Sequence, residues 1–245
     1  MTARALHFHH VVKRYKNKTV LHGIDLAIEP GEFFGLVGMN GAGKTTLIKC
    51  LFDFAMVDGG EIRIFGVDHR LTQARARVAF LPERFMPPYY LTGREFLQYL
   101  LTMQSIPCHA AEVEPMLAAL DLDPAALARP VRSYSKGMTQ KLGLAACLLS
   151  RKDLSVLDEP MSGLDPKARA LLKAQLQAMR ASGRTLFFSS HALADVEEIC
   201  DRMAILHDGA LRFVGTPAEC RARFGTATLE QAFMRCIAPP EEAAA

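Results

Sequence analysis

The amino-acid sequence predicts an α/β fold in which a core of alternating strands and helices is interrupted by an inserted helical segment. Half of the 245 residues are hydrophobic, so the chain can bury a substantial core. Short apolar runs bounded by glycine and turn residues predict strands in the first and last thirds of the chain. Between Leu81 and Leu149, helical patterns replace these runs. We therefore expect a mixed sheet with one helical insertion.

The first third is rich in predicted strands. Pro30-Gly31 opens the apolar run Glu32–Val37, which has the character of a buried parallel strand. A helix is expected to follow at Thr46–Phe52. The other predicted strands of this part are Ala5–Val12, Leu21–Ile28 and Glu61–Phe65.

Capping and turn residues define the later elements. Thr92 and Glu95 form a possible capping box, and Asp165 is a predicted N-cap. Asp208-Gly209 predicts a hairpin turn. The predicted helices are Phe96–Leu101, Ala110–Leu120, Pro124–Ala128, Met138–Leu149, Pro166–Met179 and Leu193–Cys200. The predicted strands are Leu154–Leu157, Thr185–Ser189, Met203–Leu206 and Leu211–Val214.

The most informative segment is the glycine loop, Gly38–Thr45, which fits the pattern G-x-x-x-x-G-K-[ST]. Its glycines let successive backbone N–H groups point into one concavity that suits phosphate oxygens. Lys44 adds a positive charge for the β- and γ-phosphates, and the Thr45 hydroxyl can bind Mg²⁺. Because a helix N-terminus follows, the context favours a nucleoside triphosphate with magnesium over a glycine-rich turn that binds nothing.

A pair of acids, Asp158 and Glu159, ends the apolar strand that begins at Leu154. Carboxylates at the carboxyl end of a parallel strand lie in the crevice where α/β sheets bind ligands. Asp158 can hold Mg²⁺, and Glu159 can accept a proton from water that attacks the γ-phosphate. A solvated strand end is the alternative interpretation, and the glycine loop argues against it.

Composition excludes several classes of protein. A formal net charge of +3 without a basic block gives no indication of nucleic-acid binding. Six scattered cysteines without a C-x-x-C pair suit a reducing compartment. The sequence shows no signal peptide and no apolar run long enough to span a membrane. His7, His9 and His10 are interpreted as strand histidines because no carboxylate or cysteine lies at metal-ligand spacing from them.

The segment Tyr134–Ala145, with the sequence YSKGMTQKLGLA, completes a series of motifs in a defined order. It resembles the signature of ATP-binding cassette (ABC) ATPases, and the likeness extends from about Leu6 to Ile237. The further matches are an aromatic ahead of the glycine loop (Tyr15), a lid-like loop (Leu81-Pro82-Glu83), a D-loop (Ser162–Asp165) and a switch histidine (His191). Independently of the family, Ser135 and Gly137 open an apolar helix whose N-terminus is a second candidate anion site.

The resemblance implies a P-loop NTPase core with a mixed sheet and an inserted α-helical subdomain. A single ABC ATPase domain is then expected over residues 1–237. Its core would occupy about residues 1–83 and 150–237, and the helical subdomain about 84–149. Residues 238–245 are expected to form a disordered tail.

The resemblance also implies the ligands and the role of each site residue. Glu159 would act as general base, His191 would hold the attacking water and Lys44 would stabilise phosphoryl charge. Mg²⁺ would be held by Thr45, Glu83 and Asp158. ATP would be bound by Tyr15, Gly38, Met39, Asn40, Gly41, Ala42, Gly43, Lys44, Thr45 and Thr46. Ser135, Lys136 and Gly137 would contact the ATP of a partner subunit.

The resemblance to this family also implies partners and a cellular location. ATP would lie between two subunits, in a homodimer or with a related cassette subunit, and an integral membrane permease would receive the work of hydrolysis. The chain would sit in the cytoplasm on the inner face of the membrane, and no nucleic acid is expected. Thr228–Phe233 resembles the ending of subunits that serve exporters with separate permeases, which favours export. The alternatives are a soluble, non-transport cassette ATPase and an ATP-dependent regulator.

Two residues depart from the family pattern. Glu83 stands where glutamine is usual, so a carboxylate would add negative charge near the phosphates. Lys136 replaces a signature glycine. It would either add a cation near the partner's γ-phosphate or point to solvent.

Overall fold

The computed structural model describes residues 3–238. The predicted disordered tail therefore lies outside the described residues, apart from Ala238. The chain divides into two compact units. The first runs to Arg75 and resumes at Thr185, and the second runs from Ala76 to Arg184. The predicted domain boundaries near residues 83 and 150 stay a prediction.

The elements follow one another in a mixed α/β order, and the predicted fold class is confirmed. In chain order they are β1 (Leu6–Tyr15), β2 (Lys18–Ile28), β3 (Phe33–Val37), α1 (Lys44–Leu51), β4 (Gly59–Ile64), β5 (Val67–Asp68), α2 (Thr72–Arg75), β6 (Val78–Leu81), α3 (Gly93–Met103), α4 (Ala110–Ala119), α5 (Lys136–Leu149), β7 (Leu154–Asp158), α6 (Pro166–Ala181), β8 (Thr185–Ser190), α7 (Leu193–Ile199), β9 (Arg202–His207), β10 (Ala210–Gly215), α8 (Pro217–Phe224) and α9 (Leu229–Ile237). Two 3₁₀ segments, Pro124–Ala128 and Val131–Ser133, lie between α4 and α5.

The first unit contains an antiparallel sheet in the order β2-β1-β4-β5 and a second set of strands in the order β10-β9-β3-β8. β3 is central in the second set, parallel to both β8 and β9. Every residue of β3 and β8 is buried, as expected for parallel strands covered on both faces. Phe187 fills the core between the two sets, with its ring 6.2 Å from that of Phe8 and 6.3 Å from that of Phe34.

The second unit pairs β6 with β7 in parallel and adds the helices α3 to α6. From Gln140 to Leu149 every residue of α5 is buried, so this helix lies in the interior on all sides. Gly143 allows the close packing, because a Cβ there would lie 2.6 Å from Leu81 Cδ1 and 2.8 Å from the Phe85 ring. The ring of Phe85 packs in turn against that of Phe96 in α3, at 5.5 Å.

Several local predictions are confirmed in detail. Thr92 and Glu95 form the capping box of α3, and the Asp165 carboxylate accepts from the Ala168 N–H at the start of α6. The hairpin turn at Asp208-Gly209 joins β9 to β10.

Other elements were predicted too short or were not predicted. β1 continues past Val12 to Tyr15, because it closes a tight hairpin in which Tyr15 pairs with Lys18. The helices α8 and α9 were not predicted, although Thr216 and Glu219 form a capping box that the sequence contains.

The longest helix within residues 3–238 is α6, with 16 residues. No helix in that range is both long enough and apolar enough to cross a bilayer.

Candidate functional site

The glycine loop lies in the first unit between β3 and α1. Gly43 is the N-cap of α1 and has a left-handed backbone with φ of 113°, so the helix begins at Lys44 rather than at the predicted Thr46. Gly41 also has a positive φ of 85°, a conformation that residues with a Cβ rarely adopt. Gly38 is required for a different reason, since a Cβ there would lie 2.5 Å from the carbonyl oxygen of Leu206. The two kinds of constraint together explain the glycine pattern.

The turn between β9 and β10 supports this loop from behind. The Gly209 N–H donates to the Ala42 carbonyl oxygen over 3.0 Å, and the Gly209 carbonyl oxygen accepts from the His22 N–H at 2.8 Å. Gly209 has a φ of 71°, and a Cβ there would overlap the carbonyl oxygen of Val20. One glycine therefore connects β2, the turn and the loop. The sequence indicated only a hairpin at this position.

Lys44 is folded back into the curve of the loop. Its side chain is almost fully buried, and the ammonium donates to the Gly38 carbonyl oxygen over 2.6 Å. A longer contact of 3.5 Å reaches the carbonyl oxygen of Met39. Thr45 and Thr46 are half-buried in the first turn of α1, and Asn40 is exposed. The charge of Lys44 is thus held against the carbonyl oxygens at the start of the loop.

His191 lies beside the loop in the same unit. β3 and β8 are parallel neighbours, and Val37 pairs with Ser190 as the last residues of the two strands. Gly38 follows β3 and His191 follows β8, so both residues leave the sheet at the same edge. Neighbouring strands are about 4.8 Å apart, which brings the histidine next to the start of the loop. Its side chain is exposed.

Tyr15 lies at the end of the β1–β2 hairpin and is 45% exposed. β2 reaches the loop at Leu21, whose Cδ2 atom lies 3.0 Å from where a Cβ of Gly43 would be. Lys13 pairs with Leu21, and Tyr15 follows two positions further along β1. The register therefore puts this aromatic ring at the end of the sheet where β2 meets the loop.

In the second unit, Asp158 is the last residue of β7 and Glu159 follows it, and both are nearly inaccessible, with 2% and 8% exposure. Glu159 has a positive φ of 50°, a rare conformation for a residue with a Cβ. Leu81 of β6 pairs in parallel with Leu157, so the exposed Glu83 leaves the strand pair at the same edge as the two acids.

The signature segment docks on the D-loop of the same unit. The Ser135 hydroxyl accepts from the Met138 N–H over 3.2 Å and caps α5. The stem of Lys136 packs on Gly163, with its Cε atom 3.2 Å from where a Cβ of Gly163 would lie. The Lys136 ammonium is 3.5 Å from the Ser162 hydroxyl. The side chain lies along the D-loop and remains exposed, and its contact with the γ-phosphate of a partner stays a prediction.

Two further contacts hold the signature in place. A Cβ at Gly137 would lie 3.2 Å from the Gly163 carbonyl oxygen, so the start of α5 and the D-loop approach closely. The buried Gln140 amide donates to the Pro160 carbonyl oxygen over 3.2 Å, next to Glu159. Gln140 was not predicted as part of this contact, because its partner Pro160 lies in a distant loop.

The fold also brings a carboxylate to the N-terminal histidines, contrary to the argument from spacing. His9 Nδ1 lies 3.2 Å from an oxygen of Asp25, because β1 and β2 are paired strands. Sequence spacing cannot reveal such a cross-strand neighbour. Across residues 3–238, no three His, Cys, Asp or Glu side chains converge as a metal site.

Comparison with known proteins gives consistent relatives. The profile of the family described as ABC transporter matches residues 21–162. An "Uncharacterized ABC transporter ATP-binding protein" of Synechocystis sp. is 41% identical over 203 residues, and a "Nod factor export ATP-binding protein I" of Burkholderia pseudomallei is 37% identical over 221 residues. A solved "ATP binding subunit of ABC transporter" superposes with a TM-score of 0.87 at 30% identity, over 95% of this chain and 99% of that one.

Coverage of these relatives is uneven. The match takes in 81% of this chain and 57% of the Synechocystis protein, which is less than two thirds of its length. For the Burkholderia protein the figures are 89% and 72%.

Proposed function

Because this chain belongs to the ABC transporter family, we propose that it is the ATP-hydrolysing subunit that powers transport through a separate membrane permease. The family domain implies nucleotide binding. The observation that carries the proposal is the glycine loop. Space is free beside Gly41, Gly38 packs closely on the Leu206 backbone, and the Gly209 N–H donates to the Ala42 carbonyl oxygen. The name of the Burkholderia relative, a Nod factor export protein, supports export as the direction.

The residues present fit ATP and Mg²⁺. Lys44 is a cation held inside the loop. Within the described part of the chain, no atom beyond its two chain neighbours lies within 4 Å of where a Cβ of Gly41 would be, so the loop leaves space that suits phosphate oxygens. Residues 38–46 would bind the phosphates, and Tyr15 would stack on adenine. Thr45, Asp158 and Glu83 would hold Mg²⁺, which when bound neutralises charge on the β- and γ-phosphates.

Glu159 is the proposed general base. It would accept a proton from water as the water oxygen bonds to the γ-phosphorus. The bond between that phosphorus and the β-phosphate oxygen breaks, and ADP leaves with the electron pair. His191, at the edge where β8 ends, would contact the γ-phosphate and align the water, while Lys44 stabilises charge on the transferring group. The position of Glu159 directly after the buried Asp158, at the carboxyl end of β7, supports this assignment.

A second subunit would complete the site. Ser135, Lys136 and Gly137 form a capped helix N-terminus, which is suited to anions. In a head-to-tail dimer, made of two copies or of a related subunit, these residues would contact the γ-phosphate bound by the partner. ATP hydrolysis would then occur at the cytoplasmic face of the membrane in which the permease is embedded.

The variant Glu159→Gln tests the assignment, since it keeps the shape of the side chain and removes the base. We expect phosphate release to fall by about 100-fold to 10,000-fold while ATP binding is retained. Glu114→Gln, on the exposed surface of α4, is the matched control and is expected to leave the rate unchanged. Normal phosphate release by Glu159→Gln would overturn the assigned base.

Two further measurements test the partners. Activity per molecule is expected to rise with protein concentration, because each site needs a second subunit. A polytopic membrane protein is expected to co-purify when the chain is extracted in mild detergent from its native membranes. Constant activity on dilution would contradict the shared site, and purification without any membrane protein would contradict the permease.

A further inference from the structure

A groove in the second unit lies outside every residue of the proposed ATP site. It is formed by α4, the carboxyl end of α5, and the end of α6, and its volume is about 700 Å³. Pockets that bind small molecules have volumes of about 300 to 1,000 Å³. The signature is at the other end of α5, so the groove has no assigned role.

The charges that line the groove leave one cation without a counter-ion. The Arg151 guanidinium pairs with Glu112 at 3.1 Å, and the Asp153 carboxylate pairs with Arg77 at 2.7 Å. Arg184 has only neutral acceptors among residues 3–238, namely the Ser182 hydroxyl at 2.9 Å and the Leu148 carbonyl oxygen at 3.4 Å. The four charged residues that line the groove sum to zero, and Arg184 is the one among them that forms no ion pair within residues 3–238.

The environment of Arg184 makes that charge unfavourable as it stands. Burial lowers the pKa of its guanidinium, and the neighbouring charge of Arg151 lowers it further. A partly buried cation that lacks an anionic partner gains stability when an anion binds, and a guanidinium can form two parallel hydrogen bonds to a carboxylate or phosphate.

The rest of the wall is apolar. Leu148 and Leu149 are each 5% exposed at the end of α5, and Met116 is half-buried on α4. Ala119, one helical turn from Met116, leaves space beside them. An occupant would thus meet hydrocarbon on one side and a guanidinium on the other.

We propose that this groove, the Arg184 groove, binds an organic anion whose single carboxylate or phosphate group pairs with Arg184 and whose apolar body packs against Met116, Leu148 and Leu149. A single negative charge suffices because Arg151 is already paired with Glu112. Both acid groups have the same oxygen geometry toward a guanidinium, so the two sources are separated by experiment.

The test uses octanoate and octyl phosphate as probes, with octanol and octylamine as uncharged and cationic controls of equal chain length. Titrations of the full chain are followed by calorimetry and by the NMR signal of the Arg184 Nε–H group. We expect saturable binding of one or both anions, with a shift of that signal, and at least tenfold weaker binding of octanol and octylamine. Equal binding of all four probes, or of none, would overturn the proposal. The stronger of the two anions identifies the acid group.

Variants test separately the positive charge of Arg184 and the apolar space of the groove. Arg184→Gln is expected to weaken binding of the preferred anion at least tenfold, while Arg184→Lys retains part of it. Arg94→Gln, an exposed arginine of α3, is the matched control and is expected to bind as the parent does. Ala119→Trp fills the apolar side and is expected to block binding with Arg184 intact. Unchanged affinity in both Arg184→Gln and Ala119→Trp would contradict the site, and folding of each variant is checked by its unfolding transition.

Discussion

Gly209 donates its backbone N–H to the carbonyl oxygen of Ala42, so a turn near the end of the chain fixes the back of the glycine loop. Two features of Gly209 make glycine necessary at this position. Its φ is positive, and a Cβ there would overlap the carbonyl oxygen of Val20. The loop is thus held by a residue outside the motif that identifies it.

Replacing Gly209 with alanine is expected to weaken both folding and ATP binding. Gly183→Ala is the matched control, since Gly183 has a φ of 73° but open space around it. The control should lose about 1 kcal/mol of unfolding free energy, from backbone strain alone, and bind ATP normally. Gly209→Ala should lose more, because the methyl group meets backbone. Urea unfolding and nucleotide titration measure the two effects, and equal losses in both variants would refute the steric argument.

The packing of Lys136 on Gly163 predicts a coupled pair. A methyl group at Gly163 would meet the stem of Lys136, so Gly163→Ala is expected to be less destabilising in a Lys136→Ala background. We expect a coupling free energy of about 0.5 kcal/mol or more from the double-mutant cycle, measured by urea unfolding. Additive effects would show that the stem of Lys136 does not pack on residue 163 in solution.

Asp121 links α4 to α5 and α6. The Lys167 ammonium, at 2.6 Å, and the Lys141 ammonium, at 3.2 Å, hold the pKa of its carboxyl below the usual range. The resulting stabilisation is present above the pKa of the unfolded chain and is lost as pH falls through the lower folded pKa. The destabilisation by Asp121→Asn should therefore be larger near neutral pH than near about pH 3, as measured by urea unfolding. A pH-independent difference would contradict the ion pairs.

The three buried cysteines, Cys50, Cys147 and Cys220, are expected to react slowly with alkylating reagents. Burial raises the pKa of Cys147 to about 12 and those of Cys50 and Cys220 to about 11, so little thiolate forms near neutral pH. Mass spectrometry after iodoacetamide treatment should find these three unmodified in the folded protein and modified in urea. Rapid native labelling of Cys147 would contradict its burial.

Sequence reasoning reached the elements whose signals are local. The capping box at Thr92 and Glu95 and the N-cap at Asp165 depend on neighbours a few residues away, and Gly41 and Gly43 depend on their own positive φ. These features form because short-range hydrogen bonds and allowed backbone angles decide them.

Features that depend on distant pairing were not accessible in this way. Gly209 was identified as a turn residue but not as a brace, since Ala42 meets it only in the folded chain. The contact of His9 with Asp25 depends on the register of β1 and β2, and the docking of Lys136 depends on how α5 meets the D-loop. Each is decided by tertiary packing rather than by local propensity.

The brace at Gly209 also has a consequence for synthesis. A nascent chain emerges from its N-terminus, so the glycine loop leaves the ribosome long before the strand that carries Leu206 and the turn that carries Gly209. Until they arrive, the loop lacks both the backbone that shapes Gly38 and the donor that holds Ala42. We expect ribosome-bound chains that end before Leu206 to bind no ATP. An unfinished copy would then neither close an ATP site with a partner subunit nor hydrolyse ATP.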